Sequence, residues 1–260
     1  MKHLLDIRNL EEKEIEKTLR KTDELKNSVQ REKPLKDKEA GMFFYKSSTR
    51  TRISFEVAIR QLGGNVTFLS KQDSQLGRGE TVEDTIRVLN RYNDLAIFRV
   101  HDHNDLIKMK KASKIPIINA LSDLLHPCQA LSDLYTIKEK KPLKNLKLVF
   151  LGDGSSNVCH SLINVADKTG INITVSCPDK HEPRIEGEYE IERNPEKAVE
   201  NADVLYTDTW VSMGEEKKEI EAFKQYQINQ DLLENSKEDS IVMHCLPAHR
   251  GQEITNEVID

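Results

Sequence analysis

The sequence predicts an α/β protein of two doubly wound parallel-sheet domains, with an active site in the cleft between them. Three observations predict it. Short aromatic and β-branched runs alternate with apolar residues at helical spacing. The alternation begins afresh after a lysine-rich turn around Pro142, and polar clusters recur where a strand-like run gives way to a helical pattern. In such sheets ligands bind beyond the carboxyl ends of the strands, which is where those clusters fall.

A charged amphipathic helix is expected to begin after Asn9 as its N-cap, with Ile15 and Leu19 on its inner face. In the stretch GMFFYKSSTRTRISFE, Gly41 to Tyr45 reads as a buried strand, and Phe55, Ala58, Ile59 and Leu62 follow at i, i+3, i+4 and i+7 of a helix. Between them stand Ser48, Thr49, Arg50 and Thr51. A helix start offers unpaired N–H groups and the positive end of the helix dipole, so hydroxyls and a guanidinium added there suit a phosphate. Ser48 and Thr49 alone would read as caps. Arg50 and Arg52 lie at the positive pole, where a cation is disfavoured by about 0.3 to 1 kcal/mol, and this turns the reading toward an anion site.

Gly63 and Gly64 turn into the strand NVTFLS, followed by the polar loop KQDSQLGRGE and a helix with Val82, Ile86 and Leu89 inward. LAIFRV, HNDLIKMKKASK and IPIINA repeat strand, helix and strand. In HPCQALSDLYTIKEKK, Pro127 suits the first helical position, with Leu131, Leu134 and Tyr135 at helical spacing. The first domain is taken as residues 1–137 and the second as 138–260, the second running KLVFLGDG, a helix from about Asn157, INITVSCP, PEKAVENA, VLYTDTW and SIVMHCLP. By this topology Arg99, His126, Asn157, Asp208, Ser212 and Cys245 all follow strand ends and converge.

Composition narrows the function. With 260 residues, 37% of them apolar, the chain can fill two ordinary cores. The net charge of −5, with both signs interspersed, argues against a nucleic-acid partner. No apolar run reaches the ~18 residues of a membrane span and Met1 to Asn9 holds no signal-peptide core, so a cytoplasmic protein without a membrane partner is expected. Cys128, Cys159, Cys177 and Cys245 lack short repeated spacing, which predicts reduced thiols. His126, His160 and His244 lie beside three of them, but no CxxC or HxxxH spacing supports zinc, and no metal is expected. GDGSSN raises a rival, an NAD-dependent oxidoreductase, although it has only the first two glycines of GxGxxG and no acidic residue cleanly placed after the next strand.

Four stretches in order, SSTRTR with SFE, HPCQALSD, DTWVSMGEE and MHCLPAHRGQEIT, span nearly the whole chain and resemble ornithine carbamoyltransferases of the aspartate/ornithine carbamoyltransferase family. The resemblance implies transfer of the carbamoyl group of carbamoyl phosphate to the δ-amine of L-ornithine, giving citrulline and phosphate, in arginine biosynthesis or the arginine deiminase pathway. It implies no metal or organic cofactor. By the same resemblance Ser48, Thr49, Arg50 and Thr51 hold the phosphate, Arg99 bridges toward the carbonyl, and His126 and Gln129 contact the carbamoyl end. Pro127, Cys128, Cys245 and Leu246 complete that set. Gln75 would reach a neighbouring subunit's site, which implies a homotrimer or a higher assembly of trimers.

For ornithine the resemblance assigns Asn157 to the carboxylate and Asp208, Ser212 and Met213 to the α-amino end. Cys245 beside Asp208 would orient or deprotonate the δ-ammonium. Arg50, Arg99, His126 and Cys245 are the implied catalytic groups. The SMG and HCLP stretches resemble the ornithine enzymes rather than those acting on aspartate, putrescine or N-acetylornithine. Three departures stand out. Ser155 and Ser156 replace a more usual asparagine pair or arginine and asparagine, which predicts weaker ornithine binding. The segment from Pro178 to Pro195 is short, so a peripheral helix is expected to be absent. The sequence stops at Asp260, where the family runs on through an ENR-like segment with a further arginine and a final helix; on that ground the alternative is a carbamoyltransferase-like protein with weakened or lost turnover.

Overall fold

The computed structural model describes residues 2–28, 32–73, 79–211 and 220–260. Two compact units divide the chain, Met1–Cys128 and Gln129–Asp260.

In the first unit four parallel strands, β1 (Glu39–Phe44), β2 (Asn65–Ser70), β3 (Leu95–Arg99) and β4 (Ile117–Leu121), lie in the order β2-β1-β3-β4. They are the predicted apolar runs. Central β1 and β3 are buried along nearly their whole length, as strands covered by helices on both faces must be. Met42, Phe44, Ile59 and Ile97 pack on one side of the sheet, and Phe43, Ile86, Phe98 and Leu106 form a second cluster. Helices α1 (Glu12–Asn27), α2 (Arg50–Gln61), α3 (Val82–Tyr92) and α4 (His103–Ala112) supply the covering faces.

The first helix corrects one expectation. Asn9 is not its N-cap: it ends a 3-10 turn, Ile7–Asn9, which Asp6 starts by accepting from the Arg8 N–H. The helix opens instead at Glu12, where the Glu11 carboxylate and Glu14 form a reciprocal capping box. Ile15 and Leu19 are buried as predicted.

The second unit begins with α5 (Pro127–Lys140), which starts at the end of the first unit with Pro127 as its first residue. Its sheet, β5 (Lys147–Leu151), β6 (Asn172–Ser176), β7 (Glu190–Ile191), β8 (Val204–Thr207) and β9 (Ile241–His244), has the order β7-β6-β5-β8-β9 and is parallel throughout. Helix α6 (Asn157–Thr169) is buried over its first ten residues except Asn157, and ends where Gly170 takes the left-handed conformation that stops a helix. Among the described residues the short helices α7 (Pro195–Val199), α8 (Gln230–Leu233) and α9 (Asn256–Ile259) follow. Between Pro178 and Pro195 the chain forms only the 3-10 turn Asp179–His181 and the two-residue β7, in keeping with the missing peripheral helix.

Both sheets have a switch point. β1 is flanked by β2 and β3, and β5 by β6 and β8, so the connections leave to opposite sides and open a crevice at the carboxyl end of each pair. Gly152, just past β5, has φ +119°, and a side chain there would come within 3.0 Å of Trp210, which is buried in the loop after β8. The close approach ties the two loops of that crevice together.

Candidate active site

In the first unit, β1 delivers the loop carrying Ser48 and Thr49 into the start of α2, at the switch point. Thr49 is the N-cap residue, yet its side chain makes no capping bond, so its hydroxyl is not consumed by the helix. Arg50 is exposed and is in no ion pair among the described residues. Arg52 is different: it bonds Glu56 one turn on at 2.8 Å and stacks on the Phe68 ring at 3.5 Å. Of the two arginines at the helix pole, only Arg50 keeps its charge for an outside anion. The backbone of the same loop is anchored by the Tyr45 N–H donating to the Arg99 carbonyl at 2.8 Å.

Arg99 closes β3 at a register irregularity, between Phe98 and Arg99, in the pairing with β4. Bulges of this kind re-aim a side chain. Its Nε is buried and has no hydrogen-bond partner among the described residues, and burial lowers the guanidinium pKa. A buried, unspent donor costs about 1 to 3 kcal/mol unless something accepts from it, which fits a ligand oxygen. His126 precedes α5 and is buried; burial first, then the Arg99 charge, brings its pKa down to about 3. Its imidazole is therefore neutral at physiological pH. Cys128 turns its thiol to the Asn119 carbonyl at 3.5 Å and is pushed up to about 12 by burial. It is a packed thiol, not a nucleophile, and what it and Pro127 offer a ligand is the start of a helix. Gln129 follows in that first turn, its amide nitrogen donating to Asp133 at 2.9 Å.

In the second unit the ends of β5, β8 and β9 carry the candidate residues Asn157, Asp208 and Cys245. Ser156 caps α6 by accepting from the Cys159 N–H, and Ser155 bonds Asp153 at 2.7 Å, so both serines are occupied in shaping the turn that presents Asn157. Asp208 follows β8 and accepts from the Thr209 N–H at 2.7 Å and from the Cys245 thiol at 3.0 Å. Burial raises the Asp208 pKa against those bonds, and burial with the Asp208 charge raises that of Cys245 well above the ordinary thiol value. The thiol is thus a protonated donor. Of the two roles expected for Cys245, orienting and deprotonating, the geometry serves the first.

Sequence reasoning missed what holds β9's end. The His244 Nδ1 accepts from the Leu246 N–H at 2.8 Å while its Nε2 lies 3.0 Å from Glu253 Oε1, so the ring carries its proton on Nε2. Glu253 is fully buried and also accepts from the His249 N–H. Burial works to raise its carboxyl, but these bonds outweigh it and hold the group below its ordinary value. Leu246 sits at φ +58°, a strained conformation for a leucine, which the bond to His244 helps to secure. The signal was present in MHCLPAHRGQEIT as a glutamate nine residues past the histidine, with no periodicity to connect them.

Asp208, His244 and Cys245 bring one potential ligand atom each within 4.8 Å of one another. Those atoms are already engaged, the thiol with Asp208 and both His244 nitrogens with Glu253 and Leu246, so the arrangement is two separate hydrogen-bonded pairs. Gln75, Ser212 and Met213 lie outside the described residues.

These features define a two-domain α/β protein with a hydroxyl- and arginine-bearing loop at the start of α2 in one unit and a half-buried carboxylate, Asp208, beyond β8 in the other. Residues 2–139 match the model of the aspartate/ornithine carbamoyltransferase carbamoyl-P binding domain, and residues 144–260 match that of the Asp/Orn binding domain. The chain belongs to the aspartate/ornithine carbamoyltransferase family. It is 52% identical to an ornithine carbamoyltransferase of Staphylothermus marinus, over 84% of this chain and 76% of that one. It is 48% identical to one of Methanosphaera stadtmanae over 100% of this chain and 91% of the relative. The solved ornithine carbamoyltransferase of Pyrococcus furiosus superposes with a TM-score of 0.94 at 42% identity, covering 100% of this chain and 89% of its own.

Proposed function

We propose that the protein transfers the carbamoyl group of carbamoyl phosphate to the δ-amine of L-ornithine, releasing citrulline and phosphate. The observation that carries the reading is the loop at the start of α2, placed at the switch point of the first sheet, where the Thr49 hydroxyl makes no capping bond and Arg50 is in no ion pair among the described residues. Ser48, Thr49, Arg50 and Thr51 hold the phosphate there. Arg99 and neutral His126 donate to the carbonyl oxygen, on which negative charge grows as the amine attacks; one donor so placed is worth about 10² to 10³ in rate. The C–O bond to phosphate then breaks, and the phosphate leaves with the bonding pair, stabilised by Arg50, and takes up the proton that the attacking nitrogen loses.

Gln129 accepts from the carbamoyl amide, with Pro127, Cys128 and Leu246 lining that end. Asn157 binds the ornithine carboxylate, and Asp208, with Ser212 and Met213, the α-ammonium. Cys245 orients Asp208 and the δ-amine. The carbamoyl-phosphate-binding domain is taken as 1–137 and the ornithine-binding domain as 138–260. The names of the relatives favour turnover over the reading of a protein that has lost it, and the dinucleotide reading gives way to the family.

The assembly is a homotrimer or a larger array of trimers, in which Gln75 serves a neighbouring site. Among the described residues no helix is long and apolar enough to cross a membrane, and we place the protein in the cytoplasm. Incubation with carbamoyl phosphate and L-ornithine should yield citrulline and phosphate in equal amounts; phosphate without citrulline would overturn the assignment.

A further inference from the structure

Asp133 is a buried carboxylate with no part in the reaction as described above. It lies one turn along α5 from Gln129 and is 5% exposed. Both of its oxygens are spent, Oδ1 on the Gln129 Nε2 at 2.9 Å and Oδ2 on the hydroxyl of Tyr206, in β8, also at 2.9 Å. Burying a carboxylate is expensive, and an apolar pair would join α5 to β8 at less cost. What a carboxylate has and no other side chain of its size has is acceptor capacity without a donor.

We propose that Asp133 is a positioning residue for the transfer: by accepting from the Gln129 amide nitrogen, it turns Gln129 Oε1 outward as the acceptor for the carbamoyl NH2. The inference rests on the function proposed above. An asparagine or a protonated acid at 133 could donate to Gln129 instead and turn its amide round, setting NH2 against NH2. Asp133 is open to such a change, since burial pushes its carboxyl up to about 7 against the bonds from Gln129 and Tyr206, with the Asp208 charge adding to the rise. The other titratable groups that face it, Tyr206 and Cys245, are raised and neutral.

The test is a double-mutant cycle on kcat/KM for carbamoyl phosphate, with ornithine saturating. Asp133→Asn is expected to lose about tenfold in the otherwise unchanged protein and to add less than about twofold to the loss caused by Gln129→Ala, because one hydrogen bond is at stake and it acts through that residue alone. The KM for ornithine should stay put. Equal losses in both backgrounds would mean that Asp133 merely braces the core, and would overturn the proposal. Should Asp133→Asn not fold, Tyr206→Phe takes its place: it leaves the bond to Gln129, removes a bond that stabilises the carboxylate, and should move the acidic limb of the profile to higher pH unless Gln129→Ala is also present. A limb that does not move overturns the proposal as well. A wild-type protein that makes no citrulline defeats the functional reading and this inference together; an active one with additive losses defeats this inference alone.

Discussion

In the proposed reaction Arg50 and Asp208 divide the substrates between them, one by charge on phosphate and one by charge on ammonium. Arg50→Ala should weaken carbamoyl phosphate binding by about 1.5 to 3 kcal/mol for each charged bond lost and leave the melting temperature unchanged, since among the described residues Arg50 is in no ion pair. Titration calorimetry on the folded variant reads this directly, and an unchanged affinity would reduce the loop to a helix start. Asp208→Asn should raise the KM for ornithine while carbamoyl phosphate affinity stays constant. His126 adds a pH signature. Its pKa falls from 6.5 unfolded to about 3 folded, so its contribution to stability is complete above 6.5 and drains away as the pH falls toward 3. Urea unfolding of His126→Asn should therefore lose less stability between pH 6.5 and 4 than the unchanged chain does.

Elements were legible to the extent that their length exceeded their period. β1, β2, α5 and α6 could be read because their apolar residues recur over several turns or alternations, and Pro127 and Asn157 stood where the helices in fact start. The first helix was read two residues early: Asn9 is a common cap, whereas the Glu11–Glu14 box that wins is built from glutamates indistinguishable in sequence from the solvated face. β7 has two residues and α8 and α9 four each, too few to establish any spacing. Candidate site residues on switch-point loops stood out because hydroxyl and guanidinium groups are conspicuous beside apolar strands. Their supports were not, because the bond from Tyr206 to Asp133 joins positions far apart in the chain and the His244–Glu253 pair follows no periodicity. That pair governs the end of β9. Glu253→Ala would strand the His244 Nε2 donor in a buried setting and release the His249 N–H, and should cost about 1 to 3 kcal/mol and lower the melting temperature.

At the scale of the whole molecule, two sheets with one switch point each present two loops, and the proposed chemistry asks each for a different charge. The proposed trimer adds a residue, Gln75, from outside the chain's own site. Light scattering should report three times the chain mass under assay conditions, and a monomer would remove the reason for that glutamine's role. The most direct test of the central claim is the initial rate of phosphate release from carbamoyl phosphate with L-ornithine, L-aspartate or putrescine as the amine. Release with ornithine that far exceeds release with the other two is the result predicted; equal rates with all three, or no release with any, would contradict it.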